Sequence, residues 1–167
     1  MYALDEIAAD PSAFRQAVEE RHAFRPLYVK MKIMFGCNLR CEMCNHWRET
    51  REAPVSAERF KEVIAELAEL GTQKVHFSGG EPMLQVDFLA ELLPLCREAG
   101  QHVALDTCGA VAWERYERVV PWVNLVLLDL KVMDPARHKA ATGLSNEVIL
   151  ENARRLAQRG LPMWIRT

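Results

Sequence analysis

The chain has 167 residues, half of them hydrophobic, with 21 Lys and Arg against 23 Asp and Glu and a formal charge of −2. That is one domain's worth of chain, able to bury roughly 70% of its unfolded surface, and its mild acidity leaves no electrostatic footprint for non-specific nucleic-acid binding. No run is apolar enough for a bilayer span, and the start, Met1 to Glu6, is acidic rather than leader-like, so a cytoplasmic protein is expected.

Residues 1–27 read as an N-terminal extension carrying an amphipathic helix from Ser12 to Arg21, packed on the outside or bottom of the main domain. From residue 28 to 167, strand-like and helix-like segments alternate with a period of about 25–30 residues, the rhythm of a parallel α/β sheet. Tyr28 to Phe35 is a predicted strand with Val29, Met31, Ile33 and Phe35 on one face. Ser56 caps a helix running to Leu70, in which Phe60, Val63, Ile64 and Leu67 fall at helical spacing, and Gly71 ends it. Lys74 to Phe77 is the second strand. Asp87 is expected to cap the next helix, which Pro94 interrupts and Gly100 ends. His102 to Asp106 is the third strand, and Trp113 to Val120 a short helix stopped by Pro121. Val123 to Leu130 is a continuous apolar run, suited to a strand covered on both faces. A helical piece near Ala136 to Ala141, a helix over Glu147 to Gln158 and a fifth strand over Pro162 to Arg166 complete the pattern.

The polar clusters follow the strands. Cysteines come after the first, Ser78 to Glu81 after the second and Asp106-Thr107 after the third. Asp129 and Lys131 end the fourth, and Arg166 ends the fifth. In βα folds the strand C-terminal ends share one rim, where sites are built, so these motifs are expected at one mouth.

Cys37, Cys41 and Cys44 stand in C-x3-C-x2-C spacing. Three thiolates from one loop are one fewer than a closed four-coordinate site needs, so a metal held here keeps an open position. A disulfide framework is not expected with this clustering in a chain of this size. On spacing alone, a [4Fe–4S] cluster with one open iron and a zinc site completed by His46 both remain open. Cys96 reads as core, Cys108 as small packing material at a strand end or a radical relay, and His76 as a satisfied core histidine. Gly79 and Gly80 free the backbone to approach a ligand closely.

The cysteine loop followed by Ser78-Gly79-Gly80-Glu81-Pro82 resembles the radical S-adenosylmethionine superfamily. The resemblance implies a partial (βα) TIM-like half-barrel of about five parallel strands. It also implies a [4Fe–4S] cluster on Cys37, Cys41 and Cys44, reductively cleaving S-adenosylmethionine to methionine and a 5′-deoxyadenosyl radical that abstracts hydrogen. It places Met43 near the adenine, where relatives carry an aromatic or apolar residue, and Ser78, Gly79, Gly80 and Glu81 around the cofactor's amino group. Glu81 is read more as a loop organiser than a direct ligand. Asp106-Thr107-Cys108-Gly109 and Leu128-Asp129-Leu130-Lys131 are similar to the activating enzymes of glycyl radical enzymes, the pyruvate formate-lyase activase group. That similarity implies a monovalent cation near Asp106, Thr107 and Asp129, a carboxylate partner in Lys131, and Arg166 at the cofactor. Implied partners are a low-potential electron donor such as flavodoxin or ferredoxin, a glycyl radical enzyme, and a second subunit covering the open side of a barrel that usually has six units. Asn45-His46-Trp47 departs from the activase habit of His-Asn after the third cysteine, and the first strand looks more like biosynthetic radical enzymes. A radical enzyme acting on a peptide or small metabolite is therefore the rival reading, and an iron–sulfur electron carrier or metal-stabilised binding module the second.

Overall fold

The computed structural model describes residues 8–21, 26–49 and 55–167. The acidic first six residues, and part of the proposed extension, lie outside the described residues. Helix α1 (Ser12–Glu19) precedes five strands, β1 (Tyr28–Lys32), β2 (Lys74–Ser78), β3 (His102–Thr107), β4 (Leu125–Asp129) and β5 (Met163–Arg166). Between them run α2 (Ala57–Glu69), α3 (Val86–Glu98), α4 (Trp113–Val119), α5 (Pro135–Thr142) and α6 (Glu147–Gln158). The strands form one all-parallel sheet in the order β1-β2-β3-β4-β5. Sequential order with a helical crossover each time turns every strand's C-terminal end to the same rim.

Alternation divides each strand between two faces. Val75, Phe77, Val103, Leu105, Val126 and Leu128 join the main core with Ile64, Leu89, Leu93, Tyr116, Ile149 and Leu156 of the helices. The other face carries Lys30, His76 and Ala104 in one register row and Lys32 and Ser78 in the next. Asp106 pairs in register with Leu127, Leu127 with Trp164, and Asp129 with Arg166. Thus the polar residues share the face opposite the main core.

The elements match the sequence pattern closely, with four corrections. First, β1 stops at Lys32, and Phe35 is 40% exposed and stacks on His46 instead of facing the core. The ladder closes when the Ile33 N–H donates to the Ser78 carbonyl at 3.0 Å, after which the chain departs from the sheet. Second, Asp87 makes no cap. Glu81 opens a 3₁₀ turn, Pro82–Gln85, ahead of α3 by accepting from Met83 N–H at 3.0 Å, which leaves Asp87 to pair with Arg118 at the surface. Third, α3 runs through Pro94 without interruption; its buried Leu89, Leu92, Leu93 and Cys96 supply the packing that offsets the missing N–H. Fourth, α1 ends at Glu19, short of the expected Arg21, and none of its residues is fully buried. Ser56 caps α2 as read, accepting from Arg59 N–H at 3.2 Å, and α6 has the bounds read from sequence. No helix among the described residues is long and apolar enough to cross a membrane.

Candidate functional site

The cysteine loop leaves β1 and is tied down at both sides. Arg40 N–H donates to the Thr142 carbonyl at 2.7 Å and Glu42 N–H to the Ala141 carbonyl at 3.1 Å. Carbonyls at a helix C-terminus lack partners within the helix, so the end of α5 is a ready dock for loop amides. Buried His138 and Thr142 fix that end, His138 Nδ1 lying 2.7 Å from the Leu144 carbonyl and 3.1 Å from Thr142 Oγ1. Gly143 closes the helix in the left-handed conformation. Within the loop, Leu39 is buried, Asn38 Nδ2 donates to the Ala110 carbonyl at 2.6 Å, and Trp47 Nε1 donates to the Cys41 carbonyl at 3.2 Å. The loop is thereby an ordered presentation of three thiols.

The glycine pair has a structural job of its own. Gly80 N–H donates to the Met34 carbonyl at 3.0 Å and Glu81 N–H to the Gly36 carbonyl at 2.9 Å, strapping the end of β2 to the stem of the cysteine loop. A Cβ on Gly80 would lie 2.0 Å from the Gly36 oxygen, and one on Gly79 would lie 2.4 Å from the Met34 oxygen. Both glycines line the cavity, but the atoms that forbid a side chain are backbone of the neighbouring loop.

Glu81 is fully buried and does not line the cavity. Its Oε1 accepts from Met83 N–H at 3.0 Å and Thr107 Oγ1–H at 2.9 Å, and its Oε2 accepts from Cys108 N–H at 2.6 Å. Burial pushes its acid pKa up, while the bonds from Cys108, Met83 and Thr107 oppose that shift. The side chain organises two strand ends. Thr107 borders the cavity, yet its hydroxyl is engaged with Glu81, Tyr116 and Gly109 N–H.

Asp106 is the electrostatic centre of the rim. Burial alone would push its acid pKa up; His76, the Arg166 guanidinium, Lys30 and Ser78 together hold it well below the usual carboxylate range. Lys30 Nζ donates to its Oδ2 at 3.2 Å and Ser78 Oγ at 3.0 Å, and His76 Nε2 stands 3.5 Å away. Tyr28 shares a hydrogen bond with the other His76 nitrogen. Arg166 bridges Asp106 and Asp129, reaching Asp129 Oδ1 at 2.7 Å, and Lys131 donates to Asp129 Oδ2 at 2.7 Å. The guanidinium therefore already lies between the two carboxylates expected to hold a cation.

A cavity of about 480 Å³ gathers these groups. Cys37, Cys41 and Cys44, Met43, Ser78 to Gly80, Asp106 with Thr107, Asp129 with Lys131, and Arg166 all line it, so every expected site residue except Glu81 reaches one mouth. Met43 is 69% exposed at its edge. Lys30, Lys32 and Trp47 also line it, as do His46, which the spacing leaves open as a zinc ligand, and Cys108. The signal for Lys30 and Lys32 was present, since both alternate with the apolar positions of β1.

The donor chemistry fits an iron–sulfur cluster: three free thiols on one loop face a cavity that has room for a further ligand. Among the described residues no three His, Cys, Asp or Glu side chains converge closely enough to share a single ion. Cluster ligands bind separate irons and stand apart, whereas zinc ligands close on one centre.

The family model of the Radical SAM superfamily matches residues 31–167. A pyruvate formate-lyase-activating enzyme from Streptococcus mutans is 38% identical over 146 residues, covering 80% of this chain and 56% of that protein. An isethionate sulfite-lyase activating enzyme from Nitratidesulfovibrio vulgaris is 45% identical over 92 residues, covering 54% of this chain and 30% of that protein. Among solved structures, Streptococcus suis SuiB bound to S-adenosylmethionine shares the fold, with a TM-score of 0.78 at 16% identity, over 96% of this chain and 38% of SuiB. This chain spans little more than half the length of the pyruvate formate-lyase-activating enzymes first among these relatives.

Proposed function

The chain belongs to the radical SAM superfamily, and we propose that it cleaves S-adenosylmethionine reductively, the resulting 5′-deoxyadenosyl radical taking a hydrogen atom from a glycine of a glycyl radical enzyme. A [4Fe–4S] cluster held by Cys37, Cys41 and Cys44 supplies, when bound, one low-potential electron that splits the C5′–S bond. The observation that supports this most directly is the meeting of the three thiols with the ends of all five strands at one cavity.

The chain's own residues divide the remaining work. The backbone of Ser78 to Gly80 offers carbonyls to the amino group of S-adenosylmethionine. Lys131 and Arg166 present positive charge to its carboxylate, and charge-assisted bonds of this kind are the strong ones. Met43 offers a thioether surface for the adenine. Asp106, Asp129 and the backbone of Thr107 form the seat of a monovalent cation, with Arg166 as the counter-charge when the cation is absent. A low-potential electron donor such as a flavodoxin or ferredoxin supplies the electron. The glycyl radical enzyme as substrate rests on the activating-enzyme relatives.

Anaerobic reconstitution with iron and sulfide, followed by dithionite and S-adenosylmethionine, is expected to yield 5′-deoxyadenosine. Cluster formation without that product overturns the activity. Cys41→Ala is expected to lose both the cluster absorbance and the product. A glycyl radical signal on a partner enzyme tests the substrate, and turnover on a free metabolite alone would replace it.

A further inference from the structure

Two groups of one residue converge on the sulfur of the third loop cysteine. His46 Nδ1 lies 3.4 Å from Cys44 Sγ, and the His46 backbone N–H donates to the same sulfur at 3.5 Å. His46 lines the cavity, and the work divided among the cavity residues above gives it no part.

Its neighbours hold it there. Cys44 N–H donates to the Cys41 carbonyl at 3.2 Å, and the chain then enters a single 3₁₀ turn, His46–Arg48. In that turn Arg48 N–H donates to the Asn45 carbonyl and Glu49 N–H to the His46 carbonyl, each at 3.0 Å. Trp47, from the same turn, donates to the Cys41 carbonyl at 3.2 Å and so ties the turn back to the loop. The imidazole stacks on Phe35, with ring centroids 6.5 Å apart and planes inclined by 18°. Phe35 thus gains a purpose that its departure from β1 leaves open, as a wall behind the histidine ring.

With a neutral thiol, either the sulfur or Nδ1 can be the donor. An iron-bound thiolate carries no proton, so the imidazole must supply it from Nδ1, and a bond to a charged acceptor is roughly twice as strong as a neutral one. Zinc would need His46 and the cysteines to close on one ion, and among the described residues no three His, Cys, Asp or Glu side chains do so. His46 therefore reads as a partner of a metal ligand, of the kind that orients the ligand and tunes the metal.

We infer that His46 is a positioning residue of the metal centre, donating from Nδ1 to the Cys44 sulfur and raising the reduction potential of the cluster. The inference rests on the proposed cluster. Reduction adds negative charge to the cluster and its sulfurs, and an N–H aimed at one of them stabilises the reduced form more than the oxidised form. Hydrogen bonds to the sulfurs are among the features that set such potentials. The backbone N–H acts in the same direction but survives any change of side chain, so substitution at His46 reads the Nδ1 bond alone.

The test is an EPR-monitored redox titration of the reconstituted protein without S-adenosylmethionine, comparing wild type with H46N and H46F, with iron and sulfide measured per chain. Asparagine keeps an N–H close to where Nδ1 stands but has no ring. Phenylalanine keeps a ring to stack on Phe35 but has no donor. All three proteins are expected to hold the same iron and sulfide. H46N is expected to keep the potential near the wild-type value. H46F is expected to move it more negative, enough to lower the reduced fraction several-fold at a fixed solution potential. An unchanged potential in H46F overturns the inference. An equal negative shift in both variants also overturns it, because the effect then belongs to the ring and not to the N–H. Loss of iron from both makes His46 a ligand, which overturns it as well. Wild-type protein that assembles no cluster is recognisably different, since it overturns the proposed activity and takes this inference with it.

Discussion

The Glu81 carboxylate accepts the backbone N–H of Cys108 at 2.6 Å while its other oxygen serves Met83 and Thr107. One buried side chain thus joins the end of β2 to the end of β3, beneath the cavity but outside it. Glu81→Gln is nearly isosteric, yet it turns an acceptor into an NH₂ facing a backbone N–H. Leaving buried donors without acceptors costs about 2–3 kcal/mol, which lowers the melting temperature by roughly 4–12 °C in a domain of this size. Differential scanning fluorimetry checks it. A variant as stable as wild type would remove Glu81 from its organising role.

Asp106 carries the pH dependence of the rim. Its folded-state pKa is depressed below the ordinary value of 3.8. Its stabilising contribution is therefore complete above the unfolded pKa and is lost as pH falls from there toward the lower folded pKa. Asp106→Asn is expected to be less stable than wild type between pH 5 and 7, about the range where both carboxylate forms are ionised, with the difference shrinking below about pH 4. Urea unfolding across that range measures it. A gap that is constant with pH would mean that the ion pairs with Lys30 and Arg166 contribute nothing.

The sequence exposed the skeleton of this arrangement because each strand ends in a polar motif, and parallel βα order sends all such ends to one rim. Periodicity located the core face of β1 through Val29, Met31 and Ile33, and Ser56 announced its helix. The details that escaped are those decided by tertiary contacts. Phe35 looked like a continuation of β1, but the strand ends at Lys32, three residues earlier than its alternation implies, where the glycine strap diverts the chain. Asp87 looked like a cap because the 3₁₀ turn governed by Glu81 has no periodic signature. The docking of the cysteine loop on α5, and the packing of Cys108 against that loop, join segments distant in sequence. Local pattern cannot register them.

The pair Asp106 and Asp129 offers a separate test. Arg166 neutralises both carboxylates in the described geometry. A monovalent cation has to compete with that guanidinium. Arg166→Met leaves Asp106 with Lys30, His76 and Ser78 and Asp129 with Lys131, and opens the seat. The variant is expected to gain thermal stability from potassium or sodium chloride beyond that from tetramethylammonium chloride at equal ionic strength, and by more than wild type does. Equal responses in the two proteins would place the cation elsewhere.

Two glycine-to-alanine changes separate close packing from backbone strain. Gly100 ends α3 with φ of 73° and has nothing within 4 Å of an added Cβ. Gly100→Ala therefore carries only the conformational penalty, about 1 kcal/mol. At Gly80 the added Cβ would meet backbone on both Phe35 and Gly36, at 2.4 and 2.0 Å from their oxygens. No side-chain rotation relieves that overlap, so the strap must separate, and the bonds from Gly80 to Met34 and from Glu81 to Gly36 go with it. Gly80→Ala is expected to cost about 3 kcal/mol or more, combining overpacking with lost buried hydrogen bonds. It is also expected to loosen the cysteine loop, so amide hydrogen exchange at residues 34–44 should quicken in Gly80→Ala and stay unchanged in Gly100→Ala. Equal melting temperatures for the two variants would show that the glycine pair is not what seats the loop against the sheet.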